Sequence, residues 1–598
     1  MGHQTIIQDS DNLIPLAQVN ELSPGTLIGV NVAGVDLVLI NVEGQLQAYN
    51  GRCPHMGTLL SEGELEPDEQ GNLRLVCRAH NWRFDCSSGE KVDDPSVCLA
   101  PVALHIRDGQ VLADVKDLPD LHIESTEGRD MQALPGPRGW PLIGSLLSVN
   151  RRAFHHTLEE WAETYGPLYR CVLGRRPIIV VSDEALANKL LKARPDQFRR
   201  TSQLEVVSIR GMNTQGVFMA EGQRWRKQRP VIMQSLDTRH LKQFFPLLIK
   251  VTERLRRRWS TVMNEPVDVQ SDLMRFTVDV TTSLAFGQDM NTLETEGEVI
   301  QQHLDKIFPL IQQRLLMPIP YWNYIRLPKD RAAENSVKII FKEIEGFIAL
   351  AEQELLARPE LRDKPENLLQ SLLVAAEDNA SEPGSDSEDT RFTRKEVTDN
   401  VMTMLLAGED TTANSLAWVI YFLAKYPDVQ DKLRAEIEAV LGGEPISAFE
   451  QVRAIPYLDA VIHESMRLKP VAPLNALEAN EDFSTGDFSV KKGDFIAILT
   501  RAMAMAEHDF EDAQSFDPER WLGNSDERRV NQRAFIPFGS GPRLCPGRSL
   551  ALLEMKLVLV MMMQNFVITA AVDLDDVEEE LSFTMSPRGL LVAFQALK

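Results

Sequence analysis

Between residues 13 and 115 the apolar positions come in short β-branched runs, Leu27–Val32, Val35–Val42, Leu73–Val76 and Val111–Val115, punctuated by Gly, Asp and Asn. That pattern predicts small antiparallel strands and an all-β segment. Beyond Leu134 the apolar period lengthens to that of a helix, as over Thr157–Tyr165, Leu248–Arg258, Val337–Leu355 and Val429–Leu441. The larger part of the chain is therefore predicted to be mainly α. Between the two lies Asp117–Gln132, polar, acidic and aperiodic, which reads as a connector. The expected organisation is a multi-domain one: a first domain over 1–116, a linker over 117–132 and a second domain over 133–598. Glu377–Thr390, Ser-rich and acidic, reads as a solvated loop.

The longest apolar stretch, Leu557–Val572, is broken by Gln564 and Asn565, and the N-terminus lacks a charged-then-apolar leader. Neither a membrane span nor a secretion signal is expected. The 598 residues hold 63 Lys plus Arg against 87 Asp plus Glu. So negative a balance opposes binding to nucleic acid, whose phosphates need a basic footprint. Six cysteines are too sparse for a disulfide scaffold, and their spacing suits metal ligation. A reducing, cytoplasmic setting follows.

Cys53-Pro-His55 and Cys77-Arg-Ala-His80 each pair one thiolate with one imidazole. Such a set suits a tetrahedral zinc, and equally a [2Fe–2S] cluster in which two Cys hold one iron and two His the other. The surrounding CPHMGTLLSEGEL and CRAHNWRFDCSSGE resemble the Rieske ferredoxin family. The resemblance implies a cluster held by Cys53, His55, Cys77 and His80, with electrons leaving through the imidazoles. Cys86 and Cys98 read as buried packing residues.

Near the C-terminus, Phe538-Gly539-Ser-Gly541-Pro-Arg543-Leu-Cys545-Pro-Gly547 runs into an apolar helical pattern. Glycines let backbone approach a large flat ligand, and a helix N-terminus favours a negatively charged sulfur. This loop resembles that of the cytochrome P-450 family over about 133–598, which implies a mainly α fold with small β-sheets and haem b bound by Cys545. By that resemblance Arg543 pairs with a haem propionate and Phe538 packs on the ring. Trp225 and Arg229, at i, i+4, match the propionate-binding helix. Glu464, Arg467 and Arg520 match the family's Glu-Arg-Arg cluster, counted among the cofactor-binding residues. Leu134-Pro-Gly-Pro matches the entry segment. Two departures stand out: Leu477 where relatives place an Arg for a propionate, and Ala504 where a His is common.

Gly408-Glu409-Asp410-Thr411-Thr412 carries the chemistry. A Gly followed by an acid and hydroxyls can loosen a helix and admit water, and the resemblance implies that Asp410 and Thr411 relay protons to dioxygen. The expected enzyme is a haem-thiolate monooxygenase acting with O2 on a lipophilic substrate, fatty acid-like first and terpenoid or steroid-like second. Its channel is expected along Val206–Met219, Phe308–Tyr324, Val471–Leu477 and Met585–Leu591, with Arg210 or Arg326 as carboxylate partners. No nicotinamide or flavin fingerprint is present, so electrons are expected from a separate NAD(P)H-dependent flavin reductase, through the Rieske cluster. Residues 1–116 hold seven basic against sixteen acidic residues, which Arg224, Arg226, Lys227, Arg528 and Arg529 would complement in docking. The alternative is a haem-thiolate redox sensor or rearranging enzyme that transfers no oxygen. A Rieske non-haem oxygenase would need a two-His, one-carboxylate triad, and His155-His156 is adjacent instead of spaced along a helix face.

Overall fold

The computed structural model describes residues 13–597 except 20–21, 33–34, 43, 52, 55–58, 69–70, 79–81, 93, 108, 115–130, 151, 208–211, 213, 296–299, 305, 316, 318–319, 379–391, 485–487 and 524–529. His55, His80, Arg210, Arg528, Arg529, most of the connector and most of the Ser-rich acidic segment lie outside them. The chain forms two compact units.

In the first unit the expected runs are strands. Val35–Val42 is the middle of a three-stranded antiparallel sheet with Leu27–Val32 and Gln45–Asn50. Side chains alternate across a strand, so Leu37 and Leu39 enter one buried cluster while Val38 and Ile40 enter another. The first cluster is closed by a sheet of Leu13–Gln18, Gln110–Asp114 and Leu104–Arg107. The second is closed by five short antiparallel strands between Glu64 and Cys98, and it contains Cys53 and Cys77. Cys53 follows the strand Gln45–Asn50, and Cys77 lies in the turn after Leu73–Val76.

The second unit is built around the long helix Arg394–Lys425. A capping box starts it: Glu396 N–H donates to Thr393 Oγ1 at 3.2 Å and Thr393 N–H to Glu396 Oε2 at 2.8 Å. Its residues are buried nearly all round between 396 and 423, which marks it as a core helix. The helix Val269–Phe286 packs along it, and at Gly408 the approach is so close that a Cβ would lie 2.4 Å from Thr281 Oγ1. The helix runs unbroken through 408–412, so Gly408 serves helix contact and does not open the ladder.

A five-stranded sheet flanks the helices in the order Leu168–Leu173, Arg176–Val181, Phe495–Ile498, Asn475–Ala479, Phe198–Arg200. Leu134-Pro-Gly-Pro docks on its first strand: Arg170 N–H donates to Pro135 O at 2.8 Å, and a Cβ on Gly136 would collide with Arg170 O. At the C-terminus the hairpin Glu578–Leu581/Met585–Arg588 is tied to the long helix by Trp418 Nε1–H donating to Met585 O at 3.1 Å.

Candidate functional site

The Cys545 loop is shaped by backbone. Gly539 and Gly541 hold positive φ of 79° and 70°, Arg543 lies on the one-turn helix Gly541–Arg543, and Cys545 N–H donates to Phe538 O at 3.0 Å. Gly547 then caps the helix Arg548–Asn565. Burial pushes the Cys545 thiol up, while the amides of Gly547 and Arg548 and the guanidinia of Arg229 and Arg200 act to pull it down. Arg229 sits with buried Trp225 on the helix Gly222–Ser235. Burial pulls its guanidinium down to about 10, and the Cys545 sulfur is the charge that offsets this. The donor set fits a haem: one soft sulfur backed by amides and cations in a glycine-opened loop, with Phe538 beside it. Arg200 was not foreseen. It pairs in register with Leu477 on the neighbouring strand, placing a guanidinium across from the position that lacks the expected arginine. The register, invisible in a single sequence, is the signal that would have found it.

Glu464, Arg467 and Arg520 come together with almost no exposure. Glu464 accepts from Arg467 Nε and Nη2 at 2.9 and 2.8 Å, from Arg520 Nε at 2.9 Å and from Trp521 Nε1 at 2.9 Å. The other donors of Arg467 go to the carbonyls of Ala504, Ala513 and Ser515, and those of Arg520 to Glu511 and Asp512. Here the expectation of cofactor contact is corrected: every N–H of Arg467 is spent on protein, so the cluster holds the 504–520 segment in place.

A cavity of about 430 Å³ opens beside the long helix, with Thr403, Leu406, Ala407, Asp410 and Thr411 along one wall. Leu204, Met212, Phe218, Phe308, Ile311 and Phe583 make it mainly apolar, with Arg199, Gln215, Glu221 and Arg224 at its polar part. The expected channel segments 206–219 and 308–324 contribute; Val471–Leu477 does not, and from the C-terminal hairpin it is Phe583 and Thr584 that line it. Arg326 is paired with Glu334 at 2.8 Å, away from this wall. Arg226 pairs with Asp196 and Lys227 with Glu396, so these cations already have partners inside the unit.

Asp410 and Thr411 differ in their engagement. Thr411 Oγ1–H donates to Ala407 O at 2.9 Å, so its free lone pairs accept. Asp410 accepts from Asn414 Nδ2 at 2.9 Å and from the Thr584 hydroxyl, and burial holds its carboxyl above the ordinary range despite both bonds.

Elsewhere the fold brings Glu579 to the adjacent histidines: His155 Nε2 and His156 Nε2 both lie 2.7 Å from Glu579 Oε2, a two-His, one-carboxylate set the sequence spacing did not predict. Arg501 Nη1 at 2.6 Å and Lys469 Nζ hold the same carboxylate. Two permanent positive charges on that group oppose a dication, and the set acts as an ion-pair anchor for the hairpin. In the first unit Cys53 and Cys77 are buried; Cys86 is buried and pushed up to about 12, whereas Cys98 is exposed, contrary to the packing role expected of it.

The family profile described as Cytochrome P450 matches residues 134–594, and that of the Rieske [2Fe-2S] domain matches 12–103. The chain is 27% identical over 437 residues to Protein LUTEIN DEFICIENT 5, chloroplastic, of Arabidopsis thaliana, covering 71% of each. It is 28% identical over 493 residues to the mitochondrial 1,25-dihydroxyvitamin D(3) 24-hydroxylase of Mus musculus, covering 78% of this chain and 90% of that one. It is 28% identical over 468 residues to the thromboxane-A synthase of Rattus norvegicus, covering 72% and 85%.

Proposed function

Because the chain belongs to the cytochrome P450 family and carries a Rieske [2Fe-2S] domain ahead of that fold, we propose that it inserts one oxygen atom of O2 into a lipophilic substrate, using electrons passed through its own iron–sulfur cluster. As a cytochrome P450 monooxygenase it uses haem, and its Rieske domain a [2Fe-2S] cluster. A separate NAD(P)H-dependent flavin reductase supplies the electrons, one at a time through the cluster. Among the described residues no helix is long and apolar enough to cross a membrane.

Cys545 would hold the haem, which when bound would supply oxygen activation and transfer. The protein does the rest. Arg229 and Arg200, whose guanidinia act on the Cys545 sulfur, would hold the haem together with Trp225 and Arg543. The apolar wall of Leu204, Phe218, Phe308 and Phe583 binds and orients the substrate and excludes water. Asp410, whose carboxyl burial raises above its ordinary range, would take up and pass on a proton, and Thr411, whose hydroxyl hydrogen is committed to Ala407 O, is left to accept from water. The observation that carries this reading is the convergence of Asp410 and Thr411 on a largely apolar cavity wall. The cavity chemistry favours a fatty acid-like substrate first, its carboxylate toward Arg199 or Arg224, and a terpenoid or steroid-like one second. The relatives named 1,25-dihydroxyvitamin D(3) 24-hydroxylase and thromboxane-A synthase support a lipophilic substrate.

With purified chain, a flavin reductase and ¹⁸O-labelled dioxygen, one labelled oxygen is expected in the product of a lipid that displaces water from the haem in a spectral titration. Asp410→Asn is expected to cut product formation by about a hundredfold or more while reductant is still consumed. Rearranged product without label would overturn the reading.

A further inference from the structure

Behind the Asp410 wall lies a second cavity of about 420 Å³. Its mouth is formed by exposed Asp268, Pro309 and Arg588, and Gln270, Ser582 and Ser586 line it further in. The residues common to both cavities are Phe308, Asp410 and Thr584. Phe308 stacks on Phe583 with centroids 5.1 Å apart, so the polar part of the partition is Asp410 and Thr584.

A closed ring of hydrogen bonds holds that pair. Asn414 Nδ2 donates to Asp410 Oδ1 and to Thr584 Oγ1, both at 2.9 Å, and the Thr584 hydroxyl donates to Asp410 Oδ2. Gln270 Nε2 donates to Asn414 Oδ1 at 2.8 Å, which fixes the Asn414 amide with its nitrogen toward the ring. A threonine oxygen has two lone pairs. One is taken by Asn414, and the other is left to accept from water on the second-cavity side.

We infer that the second cavity is the proton-entry path of this enzyme: water in it hands a proton to Thr584, Thr584 passes its own to Asp410, and Asp410 releases one into the substrate cavity. Only O–H bonds change. Each proton lost by one oxygen is gained by the next, hydronium from bulk solvent is the source, and Thr584 and Asp410 end as they began. The charged groups bordering the path are Asp268, Glu580 and Arg588, with Arg588 Nε 3.8 Å from Glu580 Oε2, leaving an acidic surplus that draws hydronium inward. Asn414 is a positioning residue: it borders the second cavity and orients both relay oxygens through its amide. The inference rests on Asp410 being the proton donor.

The test uses the full-length holoenzyme with reductase. Two readouts are taken: the solvent deuterium isotope effect on product formation, and the rate at which the protonated Asp410 carboxyl band, identified by its loss in Asp410→Asn, exchanges in heavy water. Ser586→Phe fills the second cavity without touching the first, with Ser582→Phe as a substitute should that variant fold poorly. Thr584→Val removes the relay hydroxyl and Thr584→Ser restores it. Expected are carboxyl exchange slowed about tenfold and an enlarged isotope effect in the filled and Val variants, with Ser near wild type. Unchanged exchange and isotope effect in both would overturn the path while a crippled Asp410→Asn keeps Asp410 as donor. Full coupled turnover by Asp410→Asn would remove Asp410 from the reaction, and the path with it.

Discussion

Two carboxylates in the helical unit are treated in opposite ways. Glu464 is locked between two guanidinia and an indole, its partners spending their remaining donors on backbone carbonyls between 504 and 515. Asp410 meets only an amide and a hydroxyl, and no cation is among the groups that shift it. The first arrangement fixes a charge and, with it, a loop. The second leaves a carboxyl whose proton can come and go. The sharpest break of this contrast is Glu464→Gln, which leaves Arg467 and Arg520 buried without a counter-charge. It is expected to cost about 3–5 kcal/mol, read as a fall in Tm and loss of haem from the purified protein. A variant that kept both would show the cluster to be dispensable.

Glu579 belongs with Glu464, and its response to pH separates it from Asp410. The hydrogen bonds of His155 and His156 and the charges of Arg501 and Lys469 outweigh burial and hold its carboxyl far below the ordinary range. A carboxylate lowered in the fold adds stability that is full above its unfolded pKa and fades as pH falls toward the folded value. Glu579→Gln is therefore expected to lower stability by about 2–3 kcal/mol near neutrality, with the gap to wild type shrinking as the medium is made acidic. Thermal melts of both proteins across pH check this. A gap independent of pH would show that shape, and not charge, anchors the hairpin.

The parts of the molecule that were legible from sequence are those whose signal is local. Val35–Val42 announces a strand by its short β-branched apolar run, and the glycines around Cys545 announce a backbone free to come close to a ligand. The capping box at Thr393 and Glu396 is equally local. What stayed hidden depends on pairing between distant segments. Glu579 lies more than four hundred residues from His155, so nothing in the spacing of the histidines foretells their shared carboxylate. Arg200 gains meaning only from the register that sets it opposite Leu477, and Thr584 only from a hairpin turn that reaches the long helix. Glu464, Arg467 and Arg520 are visible as a motif, but a motif does not show where the other guanidinium donors point, and here they point to backbone carbonyls.

Gly408 sharpens the contrast from the side of packing. Adding a methyl there presses on Thr281 of the facing helix, at a place where Asp410 follows within one turn. Gly408→Ala is expected to cost about 1–3 kcal/mol through overpacking, and Gly408→Ala with Thr281→Ala to recover most of it. Calorimetric Tm values of the single and double variants decide this.

Asp410→Asn is the smallest change in stability and the one of opposite sign. Asparagine keeps both contacts, accepting from Asn414 and donating to Thr584, and it carries no charge to bury. Burial raises the Asp410 carboxyl in the folded state, so its contribution is fully present below the unfolded pKa and is lost as pH rises through the folded one. The Tm of Asp410→Asn relative to wild type should therefore climb with pH, while that of Glu579→Gln falls with pH and levels off. Two melting series, run in the same buffers, set the slopes side by side. If both variants fall away from wild type with rising pH, Asp410 is held as an ion like Glu579, and a carboxyl that is always ionised has no proton to give.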